Sequence, residues 1–386
     1  MPEAPTVVLI SYHYAKSKRR GGFHALADSY RRLGWNVVFV TAPISRISRL
    51  RRDHRLGYDT LRERNRLIQI DDRYWSYVLY SLIHPVDFRN RLLNRLGGWL
   101  LFAYRHVRFG ALEDVLKAAD LIIVESTAAL VLVDRLRELN PSARLVYRVS
   151  DDLRTVNAPP ALHDRELALA EKFDIVSTLN STFQARFQHL GTAELQPHGI
   201  DRDVFDRPSV SPYVPGTLNA IFVGVSLLDE EFLKIASELR PEWSFHVIGP
   251  VSGPQAQNIT YYGEMPFRET VPFIVHADAG LQTRRWTVGA ETLSDSLKVQ
   301  QYTYCRLPII APTFLRSDRP NLFCYEPGDP DSIARALDAS RAFDGRAELQ
   351  QLVSSWMEVA QRLAPPSKAQ APAPDSYGQK AEATRR

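Results

Sequence analysis

The sequence predicts an α/β chain of two doubly wound domains, and three observations carry that prediction. Short apolar strands alternate with helical patterns at parallel-sheet spacing, the alternation comes in two successive series, and a stretch dense in Pro, Gly and Asp separates them. The 386 residues are enough for two cores of ordinary size. A hydrophobic content of 45% and a charged content of 24% are those of a folded chain.

The first series opens with a strand over residues 6–12, a loop holding Gly21 and Gly22, a helical pattern over 23–33 and a strand over 36–41. This opening has no GxGxxG, so a dinucleotide fingerprint is absent. Alternation resumes with strand 120–124, helix 128–139, a strand ending at Val149, helix 161–172, strand 174–177, a short helix after Ser181 and strand 193–196. Residues 197–217 break the rhythm. The second series runs through strand 218–223, helix 230–239, strands 244–248 and 259–261, helix 268–276, strand 279–281, helix 293–304 and strand 308–310. Strand 323–325 and helices up to 342 and over 347–363 complete it. The expected layout is therefore domains at 1–200 and 218–363, a linker at 201–217 and a disordered tail at 364–386, which is rich in Pro, Ala and charge. Two Rossmann-like domains facing across a deep cleft form the GT-B architecture of many glycosyltransferases, with the cleft as the expected ligand site.

Composition narrows the function classes. Cys305 and Cys324 form no CxxC pair and lie near no His cluster, so neither a disulfide framework nor a zinc site is expected, and a reducing, cytoplasmic setting fits. Glu3 precedes a short apolar run without a basic lead, which reads as a strand rather than a signal peptide, and no apolar run is long enough to span a bilayer. Residues 1–110 hold 20 Lys and Arg against eight Asp and Glu, a balance of +12, while the remainder carries −8. Within that basic part, residues 44–66 and 89–109 interleave Arg with Leu, Ile, Trp and Phe. Such segments suit the headgroup region of an anionic membrane, or equally a solvated helix whose apolar stripe packs on the core. Nucleic-acid binding is not expected, because no reader motif accompanies the charge.

Chemistry is expected where strands end in polar loops. The run Leu145–Val149 stops in Ser150, Asp151 and Asp152, and a carboxylate at a strand end in a cleft can take a proton from a hydroxyl. The same residues also suit a helix cap or a turn. Lys298 falls in the first turn of a helical pattern capped by Ser294 or Asp295, where free N–H groups and a full charge suit a departing diphosphate. Asp329-x-Asp331 has the form of a metal-binding DxD, yet Gly-Asp-Pro-Asp before a helix is a good N-cap sequence, so no metal is expected. Gly21 and Gly22 permit close backbone approach to a ligand, and His13 and His24 flank them on the expected acceptor side.

The chain resembles the GumK family of xanthan-type glucuronosyltransferases, over about residues 7–340. The resemblance rests on ordered short stretches: His13, Arg19-Arg20 and His24; Ser45-Arg46 with Ser48-Arg49; His84-Pro85; Glu125-Ser126; Asn140-Pro141; and Tyr147-Arg148-x-Ser150-Asp151 with Thr155 and Asn157. It continues through His198-Gly199-x-Asp201, Phe245–Gly249, Tyr262–Met265, and Asp295-Ser296-x-Lys298 with Gln301. The resemblance implies an inverting, metal-independent, cofactor-free GT-B enzyme. It would move glucuronic acid from UDP-glucuronate to a mannose of a polyprenyl-diphosphate-linked oligosaccharide, at the inner face of the cytoplasmic membrane. It also implies Asp151 as the base and Glu264, Met265, Ser296, Lys298 and Gln301 as UDP-binding residues. Three departures stand out: Arg284, beside Arg285, replaces a tyrosine at the nucleotide site, Ser226 a methionine near the uracil, and Asp152 a glycine. A guanidinium at Arg284 or Arg285 suits a uronate carboxylate. The competing readings are a transferase for another UDP-hexose and a non-catalytic nucleotide-sugar or membrane-binding module.

Overall fold

The computed structural model describes residues 4–366 apart from residues 18, 19, 54, 157 and 226. The first sheet has eight strands: β1 (Thr6–Ser11), β2 (Asn36–Ser45), β3 (Leu67–Asp71), β4 (Tyr74–Ser81), β5 (Leu121–Glu125), β6 (Arg144–Val149), β7 (Ile175–Thr178) and β8 (Ala193–Leu195). Their order is β3-β4-β2-β1-β5-β6-β7-β8, and every pairing is parallel except the β3–β4 hairpin at one edge. Helices cover both faces, so β1 and β5 are buried at every position, as their unbroken apolar runs require. Strand order reverses between β1 and β5. The crevice beyond their carboxyl ends is where such a sheet binds ligands.

The second sheet repeats the plan with six parallel strands: β9 (Leu218–Val223), β10 (Trp243–Ile248), β11 (Ile259–Gly263), β12 (Ala279–Leu281), β13 (Ile309–Pro312) and β14 (Leu322–Tyr325). The order β11-β10-β9-β12-β13-β14 reverses between β9 and β12. The architecture is GT-B.

Two features depart from the sequence prediction. The β3–β4 hairpin has no counterpart there; β4 runs parallel to β2 and buries Tyr74, Trp75, Tyr77, Val78 and Leu79. The helix Trp356–Leu363 corrects the boundary drawn at 218–363, because it crosses back onto the first domain. Trp356, Val359, Ala360 and Leu363 form one apolar stripe and join Val7, Leu9, Phe23, Leu26 and Tyr30 in a single cluster. The Tyr30 hydroxyl donates to the Ala360 carbonyl at 2.9 Å, and Arg144 Nη1 to the Ala364 carbonyl at 2.8 Å. The chain thus passes between domains twice, and the two passages pair: Ile200 N–H donates to the Ser354 carbonyl at 3.0 Å and Trp356 N–H to the Ile200 carbonyl at 3.1 Å. Residues 367–386, most of the expected tail, lie outside the described residues.

Candidate active site

The first rim is built at the carboxyl ends of β1, β2, β4, β5 and β6. After β6 the chain turns through Ser150 and Asp151, and the Asp151 N–H donates to Ser126 Oγ at 2.9 Å. That bond fixes the turn. The Asp151 carboxylate itself makes no hydrogen bond or ion pair with a described residue, and it lines a cavity of about 410 Å³ with Tyr12, His13, Arg51, Asp53, His84, Glu125 and Thr155. Burial, and then the nearby Glu125 carboxylate, push Asp151 up to about 6, against an opposing pull from His13. A group held there can accept a proton near neutral pH.

Asp152, one residue on, has the opposite environment. Its burial disfavours charge, but hydrogen bonds from Arg154 at 2.7 Å and Arg186 at 2.5 Å outweigh that and hold its carboxyl well below the usual range. Asp152 is therefore committed to structure, and Asp151 is the available carboxylate of the pair.

Further along the wall, Ser45 Oγ stands 2.7 Å from His84 Nδ1 and accepts from the Ile47 N–H at 3.0 Å. Arg55 donates to Asp53 and to the carbonyls of Tyr12 and Pro43, with its guanidinium 3.6 Å from the centre of the Tyr12 ring. It is buried and fully engaged, so it does not belong to the exposed basic surface expected over 44–66.

The second rim lies at the carboxyl ends of β9 to β12. Lys298 occupies the first turn of the helix Leu297–Tyr304, whose cap is Ser296 rather than Ser294 or Asp295, because Ser294 is buried and Asp295 pairs with Arg319. Ser296 Oγ accepts from Gln282 Nε2 at 3.1 Å and makes no cap bond, which leaves the helix start without a side-chain cap. Lys298 Nζ lies 4.2 Å from the centre of the Phe222 ring and has no acidic partner among the described residues. Removal from water, and then the Arg284 charge, lower its pKa to about 7. Arg284, just after β12, has a buried Nε without a hydrogen-bond partner, and its pKa is lowered by burial. Arg285 is exposed and lies 4.0 Å from Glu230.

Glycines knit this rim together. Gly249 has φ +140° and a Cβ there would meet the Gly224 carbonyl oxygen at 1.7 Å, so the turns after β9 and β10 touch through backbone. Gly249 N–H donates to the Gly263 carbonyl at 2.8 Å, which brings the exposed Glu264 and the half-buried Met265 to the same edge. Gln301, one turn past Lys298, is buried.

The rims meet directly. Leu297 packs on the first domain's cluster around Trp356. Arg154 Nη2 bonds Glu291 Oε1 at 3.2 Å, Asn180 Nδ2 donates to the Thr292 carbonyl at 2.6 Å, and a Cβ at Gly289 would stand 2.7 Å from Thr155 Cγ2. The loop that carries Asp151 therefore touches the segment leading into Lys298.

The expected residues fall as follows. His13 and Asp151 share the cavity, while Gly21 lies against His13, where a Cβ would stand 3.2 Å from Nε2. Gly22 is packed at the domain junction, where a Cβ would meet Trp356 at 3.0 Å and His198 at 3.2 Å, so its smallness serves protein packing. His24, expected on the acceptor side, is fully buried; its Nδ1 accepts from the Gly21 N–H at 3.1 Å, its Nε2 lies 2.9 Å from the Tyr14 carbonyl, and burial lowers it to about 4. Ser226 lies outside the described residues. Asp329 caps the helix Pro330–Arg341 by accepting from the N–H groups of Asp331 and Ser332, the capping reading of that motif. Sequence reasoning assigned no role to Glu125, although an acidic residue closing a buried strand was the available signal.

The chain is similar to several known proteins. Residues 9–179 match the family "Glucuronosyltransferase GumK, N-terminal domain". Over 366 residues the chain is 27% identical to the UDP-glucuronate:glycolipid 2-beta-glucuronosyltransferase of Xanthomonas campestris pv. campestris, covering 94% of this chain and 90% of that protein. Among solved structures, sucrose-phosphate synthase of Thermosynechococcus elongatus is similar at a TM-score of 0.60 with 13% identity, covering 93% of this chain and 97% of that one. Anabaena HepE in complex with UDP and glucose is similar at 0.56, again with 13% identity, covering 93% and 98%. The structural likenesses show the fold. Taken with the curated relative, they make this chain a glycosyltransferase of GT-B architecture. Its first domain is similar to the GumK N-terminal domain over residues 9–179, and the chain as a whole is similar to the Xanthomonas glucuronosyltransferase.

Proposed function

We propose that this enzyme moves glucuronic acid from UDP-glucuronate to a mannose hydroxyl of a polyprenyl-diphosphate-linked oligosaccharide, with inversion and without a metal, at the cytoplasmic face of the membrane. The observation that carries the reading is the opposition of charges without an ion-pair partner among the described residues: a carboxylate at Asp151 on one rim, and the cations Lys298 and Arg284 on the other. Asp151 takes the proton as the acceptor hydroxyl attacks the anomeric carbon, and the bond to UDP breaks on the opposite side. Lys298 and the uncapped helix start at Ser296 receive the charge that develops on the leaving diphosphate. Glu264, Met265 and Gln301 hold the nucleoside side, and Arg284 suits the uronate carboxylate better than Arg285, which has Glu230 nearby.

The membrane part of the proposal rests on the first domain. Leu92, Trp99 and Phe102 are exposed at 66%, 60% and 68% on the helices Arg91–Leu96 and Trp99–Arg105, among exposed arginines. No helix among the described residues is long and apolar enough to cross a membrane. Attachment would be peripheral or monotopic.

The test is a screen of UDP-sugars with a polyprenyl-diphosphate oligosaccharide acceptor, read by UDP release, with and without EDTA. UDP-glucuronate should be preferred and EDTA should leave the rate unchanged. Preference for a neutral UDP-hexose overturns the donor assignment, and loss of activity in EDTA that Mg²⁺ restores overturns the metal-independent route.

A further inference from the structure

Glu125, at the end of β5 and on the wall of the cavity, ties several parts of the first rim together. It is only 5% exposed. Its Oε2 accepts from Ser11 Oγ at 2.6 Å and from the Tyr12 N–H at 2.9 Å, and Ser11 Oγ in turn accepts from the His13 N–H at 3.1 Å. The turn that sets Tyr12 and His13 on the cavity is thus tied to one carboxylate. The next residue, Ser126, receives the Asp151 N–H at 2.9 Å, and its own N–H donates to the Arg148 carbonyl at 3.1 Å. The end of β5 therefore holds both the β1 loop and the β6 loop, at the point where strand order reverses.

We propose that Glu125 is a positioning residue for the transfer: it fixes the loops on either side of Asp151 and places a second carboxylate against the base. The inference rests on Asp151 acting as that base. Burying one carboxylate beside another discourages both from being charged at once, so the neighbour makes the base hold its proton more strongly and accept one more readily. The groups around Asp151 bear on this balance. Glu125 on β5 and Asp152 on its own loop raise its affinity for a proton, and His13 after β1 lowers it. Across the cavity stand Arg51, Asp53 and Arg55 after β2, and His84 after β4.

Glu125→Gln separates charge from scaffold, since an amide oxygen in the place of Oε2 can still accept from both the Tyr12 N–H and the Ser11 hydroxyl. The acid limb of kcat/KM should move to lower pH by ~1 unit while UDP affinity stays unchanged. An unmoved acid limb in a variant that still binds UDP overturns the proposal. If Glu125→Gln loses UDP binding through misfolding, Glu125→Asp decides, because it keeps the charge and shortens the reach. A lower kcat with the acid limb in place supports the role, and a displaced limb overturns it. Asp151→Asn tells the two levels apart: retained transfer removes the base assignment itself, whereas an inactive Asp151→Asn beside an unmoved Glu125→Gln limb removes only the role of Glu125.

Discussion

The two sheets share one strand plan and finish it with opposite charge. In the first, β4-β2-β1-β5-β6-β7 follows the same order as β11-β10-β9-β12-β13-β14 in the second. At the fourth strand of that plan the first domain ends in Glu125 and the second leads into Arg284. Beyond it, the first domain presents Asp151 with an unengaged carboxylate, and the second presents Lys298 without an acidic partner among the described residues. Topology thus determines where a ligand can sit, and a few residues at strand ends determine whether the rim takes a proton or neutralises an anion. Charges of this kind usually find partners within the fold, as Asp152 does with Arg154 and Arg186. Asp151 and Lys298 without ion-pair partners among the described residues, on rims in contact, are what a transfer between an acceptor hydroxyl and an anionic donor needs.

The comparison breaks first at Asp151. Asp151→Asn should lower kcat by ~10³-fold, in the range of a lost general base, and leave UDP affinity unchanged by calorimetry. Near-normal turnover would show that the first rim does not supply the base. Lys298→Ala should act on the opposite side, lowering kcat/KM by ~10²-fold and weakening UDP binding. A variant that binds UDP as tightly as the parent would remove Lys298 from the diphosphate site.

The two groups also define a pH window. In the proposed mechanism Asp151 works deprotonated, so activity should rise through about 6, and Lys298 works protonated, so activity should fall through about 7. The kcat/KM profile of the free enzyme should be a narrow bell between those limbs. The basic limb of kcat should lie higher, because bound diphosphate favours the ammonium. A basic limb that stays in place in Lys298→Arg would assign it to another group. Arg284→Ala should have a smaller effect, reducing preference for UDP-glucuronate over UDP-glucose by ~10-fold, the scale of one charge-assisted contact. Unchanged selectivity would leave Arg284 as a diphosphate ligand alone.

Much of this was legible in the sequence because strand ends announce themselves. The apolar run ending in Ser150-Asp151-Asp152 and the helix start before Lys298 are local signals, and the structure keeps both at rims. What the sequence hides is pairing. Asp152 is held by Arg154, two residues on, and by Arg186, 34 residues away, and only packing brings the second partner to it. Tertiary packing also decides that His24 lies under its loop, that Arg55 turns inward onto Tyr12, and that the helix Trp356–Leu363 belongs to the first domain. The hairpin escaped for another reason. Its β4 run of Tyr, Trp and Val is a fair strand, but basic residues up to Arg66 and the Asp-Asp-Arg turn draw attention to surface instead.

The contact between rims gives the finest test, because shape and charge contribute separately. Gly289 has φ +78°, and a Cβ there would crowd Thr155 at 2.7 Å, so Gly289→Ala adds both backbone strain and a steric conflict. It should lower kcat/KM by ~5-fold or more, since strain of this kind costs about 1 kcal/mol or above. The Arg154–Glu291 pair makes the same contact through charge, but both side chains are more than 40% exposed. An exposed pair contributes ~0.5 kcal/mol, so Glu291→Gln should change kcat/KM only ~2-fold, and the difference should vanish in high salt. Glu291 is the cleaner partner to change, because Arg154 also holds Asp152. If Glu291→Gln proved more damaging than Gly289→Ala, the rims would be joined mainly by electrostatics, and the close backbone fit at Gly289 would be incidental to bringing Asp151 and Lys298 together.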